Sequence, residues 1–143
     1  MMKNHREIIR RLYEDGWGKG DLTAIDEVFA SEHVLHWHEL KLSDQHRSVA
    51  EVKKIVQAYR AAIPDLQVII DDVVVEDDKA AVQVTFIGTH QGEYEGYPPT
   101  HKRGRFTDVQ ILRFEKGKIV ESSLASGGLR YFFAMLDGTL FEA

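Results

Sequence analysis

Four side chains in this sequence are of the kind that moves protons near a carbonyl group: His36, His38, His90 and Asp108. His36 and His38 stand two apart in HVLHWHEL, a stretch that mixes aromatic and β-branched residues and reads as a short strand. That spacing puts both rings on one face. Such a pair can chelate a metal, with His33 or His46 as a third ligand, but nothing acidic stands at a matching spacing and no metal is expected. An imidazole that titrates near neutral pH instead serves as a general base in a cavity. His90 ends a row of alternate residues, Val82, Val84, Phe86 and Gly88, that reads as a core face. It either points into a cavity at the open end of that face or is bonded to the neighbouring loop. Asp108 shares a face with Phe106, Gln110, Leu112 and Phe114, and the opposite face holds Arg105, Thr107, Val109, Ile111 and Arg113. Neither face is cleanly polar. Asp108 and Gln110 therefore line a partly polar cavity or face solvent. In an apolar cavity a carboxyl group works as acid or base.

The chemistry that one such group supports is proton transfer beside a carbonyl, as in aldol cyclisation or isomerisation. A positioned base supplies roughly 10²–10⁴-fold of rate. Trp17, Tyr59, Phe86, Tyr97 and Gln110 are the residues expected to line the ligand pocket, with Tyr97 in the rigid GYPPT loop covering its mouth. A hydrolytic site of the carboxylate–arginine–carboxylate kind does not assemble, because Arg113 and Asp108 have opposite strand parity.

Other classes fall away on composition. The chain has no cysteine, which excludes disulfides, thiolate catalysis and cysteine zinc sites. There is no nucleophile elbow, phosphate loop, dinucleotide fingerprint or HExxH, and no cofactor is expected. The net charge is −5, and HKRGR at 101–105 is too short a basic cluster for a nucleic-acid partner. The N-terminal stretch is amphipathic and charged, and no apolar run approaches membrane-spanning length. The expectation is a cytoplasmic protein with no membrane partner, built as one domain over residues 1–143.

The elements that must position these groups follow from periodicity. Ile8, Ile9, Leu12, Tyr13 and Trp17 predict a helix over 3–17. Asp21 caps a short second helix with Leu22, Ile25, Val28 and Phe29 on its stripe. Residues 41–47 read as a polar loop. Ser48 and Glu51 form a capping box for a third helix, stopped by Pro64-Asp65. The period then changes to two. Strands are expected over 66–78 and 79–92, joined at EDDK, and two more within 105–126, joined at 115–117. A short helix is expected over 129–136. Helices first and a strand meander after them predict α+β, with helices on one face of a curved antiparallel sheet.

GTHQGEYEGYPPTHKRGRFTDVQILRFEKGKIVES, Gly88 to Ser122, resembles the signature of the SnoaL-like polyketide cyclase family. The family pattern runs GTH-x-G-x-aromatic-x-G-x-PPTG and then Arg-Phe-x-x-Gly-Lys-Ile-x-Glu. His101 stands where the family usually has glycine. EHVLHWH and AYRAAIPDLQVIIDDVVVEDDKAAV resemble earlier parts of the family, with His36 at its common histidine. The resemblance implies a nuclear transport factor 2-like cone: a mostly antiparallel, curved sheet packed on three to four helices around a pocket, paired as a homodimer. It also implies a small apolar, polyketide- or ester-like ligand and an intramolecular aldol step. The family's acid–base aspartate and a tryptophan follow the Lys-Ile-x-Glu stretch in the pattern Glu-x-Trp-x-x-x-Asp. Counted from Glu121, those places hold Ser123 and Gly127. Both are expected to line the pocket, with small side chains that leave room or let a neighbouring segment pack in. The resemblance thus frames two readings, an enzyme with a relocated acid–base group and a non-catalytic binding or dimerisation module.

Overall fold

The computed structural model describes residues 4–37, 45–94 and 96–124. His38, Gly127 and the helix expected over 129–136 lie outside them. The first helix, α1, spans His5–Arg10, with the Asn4 side chain accepting the Glu7 N–H. It continues without a break into a π-helical stretch, Arg11–Trp17. The helical spacing predicted one α-helix here. The wider π turn differs from it, and π turns recur at functional sites. Gly16 sits in this stretch because a Cβ there would come within 2.8 Å of Ile25 Cδ1. Arg11 ties the stretch to the next helix and its cap, pairing with Asp15, Asp21 and Glu27 at 2.8, 3.1 and 3.0 Å.

Asp21 caps α2, Leu22–Val28, through the Thr23 N–H, as its position predicted. Phe29 does not extend that helix. It opens β1, Phe29–Trp37, a nine-residue strand rather than a short one. β2, Gln45–Ser48, pairs antiparallel with β1 where a loop was expected. Its residues are all polar and carry no alternation, so only the open edge of β1 makes it a strand. Ser48 Oγ then accepts the Glu51 N–H, and α3 runs Val49–Ala62 with Val52, Val56, Tyr59 and Ala62 buried.

The remaining strands are β3 (Gln67–Glu76), β4 (Lys79–Thr89), β5 (Arg103–Glu115) and β6 (Lys118–Leu124). They join β1 and β2 in one six-stranded sheet of order β2-β1-β6-β5-β4-β3. The contact of β1 with β6 is parallel and the others are antiparallel. Bulges in the β1–β6, β3–β4 and β5–β6 pairings bend the sheet. The core lies between its inner face and the helices. Ile8, Ile9, Leu12, Ile25 and Val56 meet Val82, Val84, Phe86, Leu112, Phe114 and Ile119 there. On the outer face Ile69, Val74, Val109 and Ile111 are exposed. Among the described residues no helix is long and apolar enough to cross a membrane.

The loop between β4 and β5 is pinned to α3. The N–H groups of Gln91 and Gly92 both donate to Ala62 O, at 2.9 and 3.0 Å. Gly92 is required by this approach, because a Cβ would lie 2.3 Å from Ala61 O. In Gly92→Ala that clash falls on backbone, which cannot rotate away. The expected loss is about 1–3 kcal/mol, the range of overpacked sites. The urea midpoint of the variant against the parent measures it, and an unchanged midpoint would mean that the loop does not sit against α3.

Candidate active site

The alternation of β5 settles the face that its sequence left open. Asp108 is 5% exposed and, with Phe106, Gln110 and Leu112, forms one wall of an internal cavity. Leu35 and His33 of β1, Ser122 of β6, Trp17, and Val52, Ile55 and Tyr59 of α3 close the other sides. The wall near Asp108 is aromatic. Phe86 and Phe106 stack at 4.9 Å, and Trp17 meets Tyr59 and Phe86 edge-on at 4.9 and 5.9 Å. Arg60 holds Trp17 in place from behind, its Nη1 donating to the carbonyls of Trp17 and Gly18 at 3.0 and 2.9 Å.

A directed chain of hydrogen bonds fixes the carboxylate. Tyr13, fully buried, is raised well above the usual phenol range by burial and by the Asp108 charge, so it keeps its proton. Its hydroxyl donates to Gln110 Oε1. That turns the Gln110 amide so that Nε2 donates to Asp108 Oδ2 at 3.3 Å. The cavity itself has a volume of about 90 Å³. Pockets for drug-sized ligands run roughly 300–1,000 Å³, so seating one requires wall side chains to move.

Of the residues expected to face a ligand, the structure brings Trp17, Tyr59, Phe86, Asp108 and Gln110 together at this cavity. Others it places elsewhere. His33 and Leu35 line the cavity, so His36 has the other parity and lies on the outer face of the sheet. There its Nε2 meets Glu121 Oε2 at 2.6 Å, and Arg113 Nε donates to Glu121 Oε1 at 2.8 Å. Those two partners, Arg113 first, hold the Glu121 carboxyl below the usual range. Ser123 also falls on the outer face, paired across strands with His36 and with exposed Ile111. The position lining the cavity is its neighbour, Ser122.

His90 is fully buried but serves the loop. Its Nδ1 accepts the Thr100 N–H at 3.1 Å, and its backbone bonds Lys102 and His101 on the returning chain. Tyr97 packs beside His90, ring centroids 6.2 Å apart, while Tyr94 is the loop residue that reaches the cavity wall, 5.6 Å from Tyr59. Sequence reasoning considered His33 only as a third metal ligand and Tyr13 only as core. The parity of β1 carries the signal for His33, since the Leu35 face is the apolar one. Nothing in the sequence marks Tyr13, whose partner Gln110 is distant in the chain.

The sequence profile of the SnoaL-like polyketide cyclase family matches residues 7–125. The candidate hydroxylase AclR from Streptomyces galilaeus is similar in structure, with 27% identity, a TM-score of 0.74, and coverage of 93% of this chain and 80% of that one. The candidate polyketide cyclase IdmH from Streptomyces antibioticus is 26% identical with a TM-score of 0.76, covering 93% of this chain and 97% of that one. A candidate SnoaL-like polyketide cyclase from Jannaschia sp. CCS1 shares the fold at 22% identity and a TM-score of 0.77, over 92% of this chain and 90% of that one. The shared fold is the nuclear transport factor 2-like α+β architecture. No curated protein matches at a significant level.

Two measurements test the site's architecture. Tyr13→Phe removes the donor to Gln110 and leaves a buried carbonyl oxygen bare, at a cost of about 1–3 kcal/mol in urea unfolding. No change would mean that water or another group replaces the phenol freely. Burial lowers the pKa of His90 below its ordinary 6.5, so the unfolded chain takes up a proton before the native one. Stability is therefore full above 6.5 and falls as pH drops from 6.5 towards the lowered value. Urea midpoints through this window should decline in the parent and flatten in His90→Asn. Parallel curves would assign the decline to another group.

Proposed function

This chain belongs to the SnoaL-like polyketide cyclase family, and from that we propose that it is an acid–base enzyme acting on a small enolisable, polyketide- or ester-like carbonyl compound, with Asp108 as its proton-transfer group. The observation that carries this reading is a carboxylate, 5% exposed, on the wall of an otherwise largely apolar cavity and oriented by Gln110 and Tyr13. The Asp108 carboxylate takes a proton from the carbon next to a carbonyl, which leaves an enolate. In an aldol closure the enolate carbon attacks a second carbonyl of the same molecule. The alkoxide so formed takes the proton back from Asp108, and the site returns to its starting charge. In an isomerisation the proton returns to a different carbon instead. The aromatic wall of Trp17, Phe86 and Phe106 supports a flat substrate. Exclusion of water favours both steps, because charge interactions strengthen in a dry site. The family places its acid–base aspartate at the position of Gly127, which cannot transfer a proton. Asp108, on β5, supplies a carboxylate at another position in the chain.

A non-catalytic small-molecule binder on the same fold is the second reading, and Gly127 in place of the family's acid–base aspartate favours it. The two separate on exchange of α-protons. With 2-tetralone in deuterium oxide, followed by proton NMR, the parent protein should accelerate loss of the α-proton signal. Asp108→Asn, which keeps size and hydrogen bonding, should lower that rate by roughly 10²–10⁴-fold. Saturable binding of the ketone without accelerated exchange would leave the binder. Equal exchange by parent and variant would remove Asp108 from the chemistry.

A further inference from the structure

The cavity has a second polar end. His33 is 4% exposed, lines the same cavity as Asp108, and lies against Phe29 with ring centroids 4.8 Å apart. The strand register sets the separation of these ends. Leu35, Ser122 and Leu112 form one row across β1, β6 and β5. His33 stands two residues before Leu35, and Asp108 four before Leu112. Because β1 is parallel to β6 and β5 is antiparallel to it, the two residues fall on opposite sides of that row. At about 3.3 Å per residue the backbone offset is about 20 Å along the strands. The bend of the sheet and the side chains on its inner face shorten this. The lining also includes the apolar side chains of Leu12, Leu35, Val52 and Leu112, and between the two ends on the sheet stand Ser122 and Gln110, whose amide is engaged by Tyr13 and Asp108.

We propose that His33 is a specificity-determining residue: its ring N–H donates to an oxygen at the far end of a substrate whose enolisable carbonyl sits at Asp108. This rests on the reading of the cavity as the substrate site. It narrows the substrate class to flat, extended molecules with an oxygen function at each end and an apolar middle. A compact ketone would occupy the Asp108 end alone and would not reach His33.

Phenols imitate the enol, so the probes are 4,4′-dihydroxystilbene and its one-ended counterpart 4-hydroxystilbene, titrated calorimetrically into the parent, His33→Leu and His33→Gln. The parent should prefer the two-ended compound by about tenfold, the worth of one buried hydrogen bond. His33→Leu should abolish that preference, and His33→Gln, which keeps a donor, should restore part of it. Equal weakening of both compounds in His33→Leu would show a structural role and overturn the proposal. So would a preference that survives the substitution. Failure of both compounds to bind the parent would overturn the cavity reading and this inference with it. Binding of both, with loss of affinity in Asp108→Asn but none of preference in His33→Leu, would overturn this inference alone.

Discussion

The pairing of β4 with β5 from Lys79↔Arg113 to Thr89↔Arg103 is the constraint on which the cavity depends. It is an unbroken antiparallel ladder, and it commits every side chain on β5 to one face. Phe106, Asp108, Gln110, Leu112 and Phe114 go inward because Val82, Val84 and Phe86 opposite them have no other place to be buried. A slip of one residue would exchange that set for Arg105, Thr107, Val109, Ile111 and Arg113. Guanidinium groups would then enter the core, at a cost no packing gain offsets. The burial of a carboxylate at 108 is thus tolerated as part of a register whose other members, Gln110 apart, are strongly apolar.

What makes that burial sustainable is the chain of donors behind it. A buried polar group is costly when bare and acceptable when bonded. Tyr13 reaches Gln110 from the π-helical stretch, and Gln110 reaches Asp108 along its own strand. The same stretch presents Leu12 and Trp17 to the cavity, with Trp17 held through its backbone by Arg60. One irregular turn therefore sets both the polar anchor and part of the aromatic wall. That ties helix geometry to site chemistry.

The small residues after the Gly-Lys-Ile-Val-Glu stretch take on a different meaning once the sheet is assembled. Ser123 stands where the family pattern has tryptophan, and it lies on the outer face beside His36 and Ile111. Its size does not widen the cavity. It shapes the surface that also carries exposed Val74 and Val109 and the His36–Glu121–Arg113 network. The other departure from the family pattern with a local consequence is His101, which adopts φ 60° where the family has glycine. The left-handed turn is kept without the residue that adopts it most easily.

By itself the sequence determined the periodic elements and their caps. The Ser48–Glu51 start of α3, the Asp21 cap of α2, the β3–β4 turn and the inner face of β4 are local patterns, and local patterns are legible one segment at a time. The family signature at 88–122 is equally local, and it carried the fold class with it. Strand parity separates His33 from His36 in the sequence, and the assembled sheet is what places the cavity on the Leu35 side. Tertiary structure alone made Gln45–Ser48 a strand, because a polar segment pairs only when an open edge is offered. It alone turned Asp108 inward, because a strand with two mixed faces is oriented by its partners and not by its own composition.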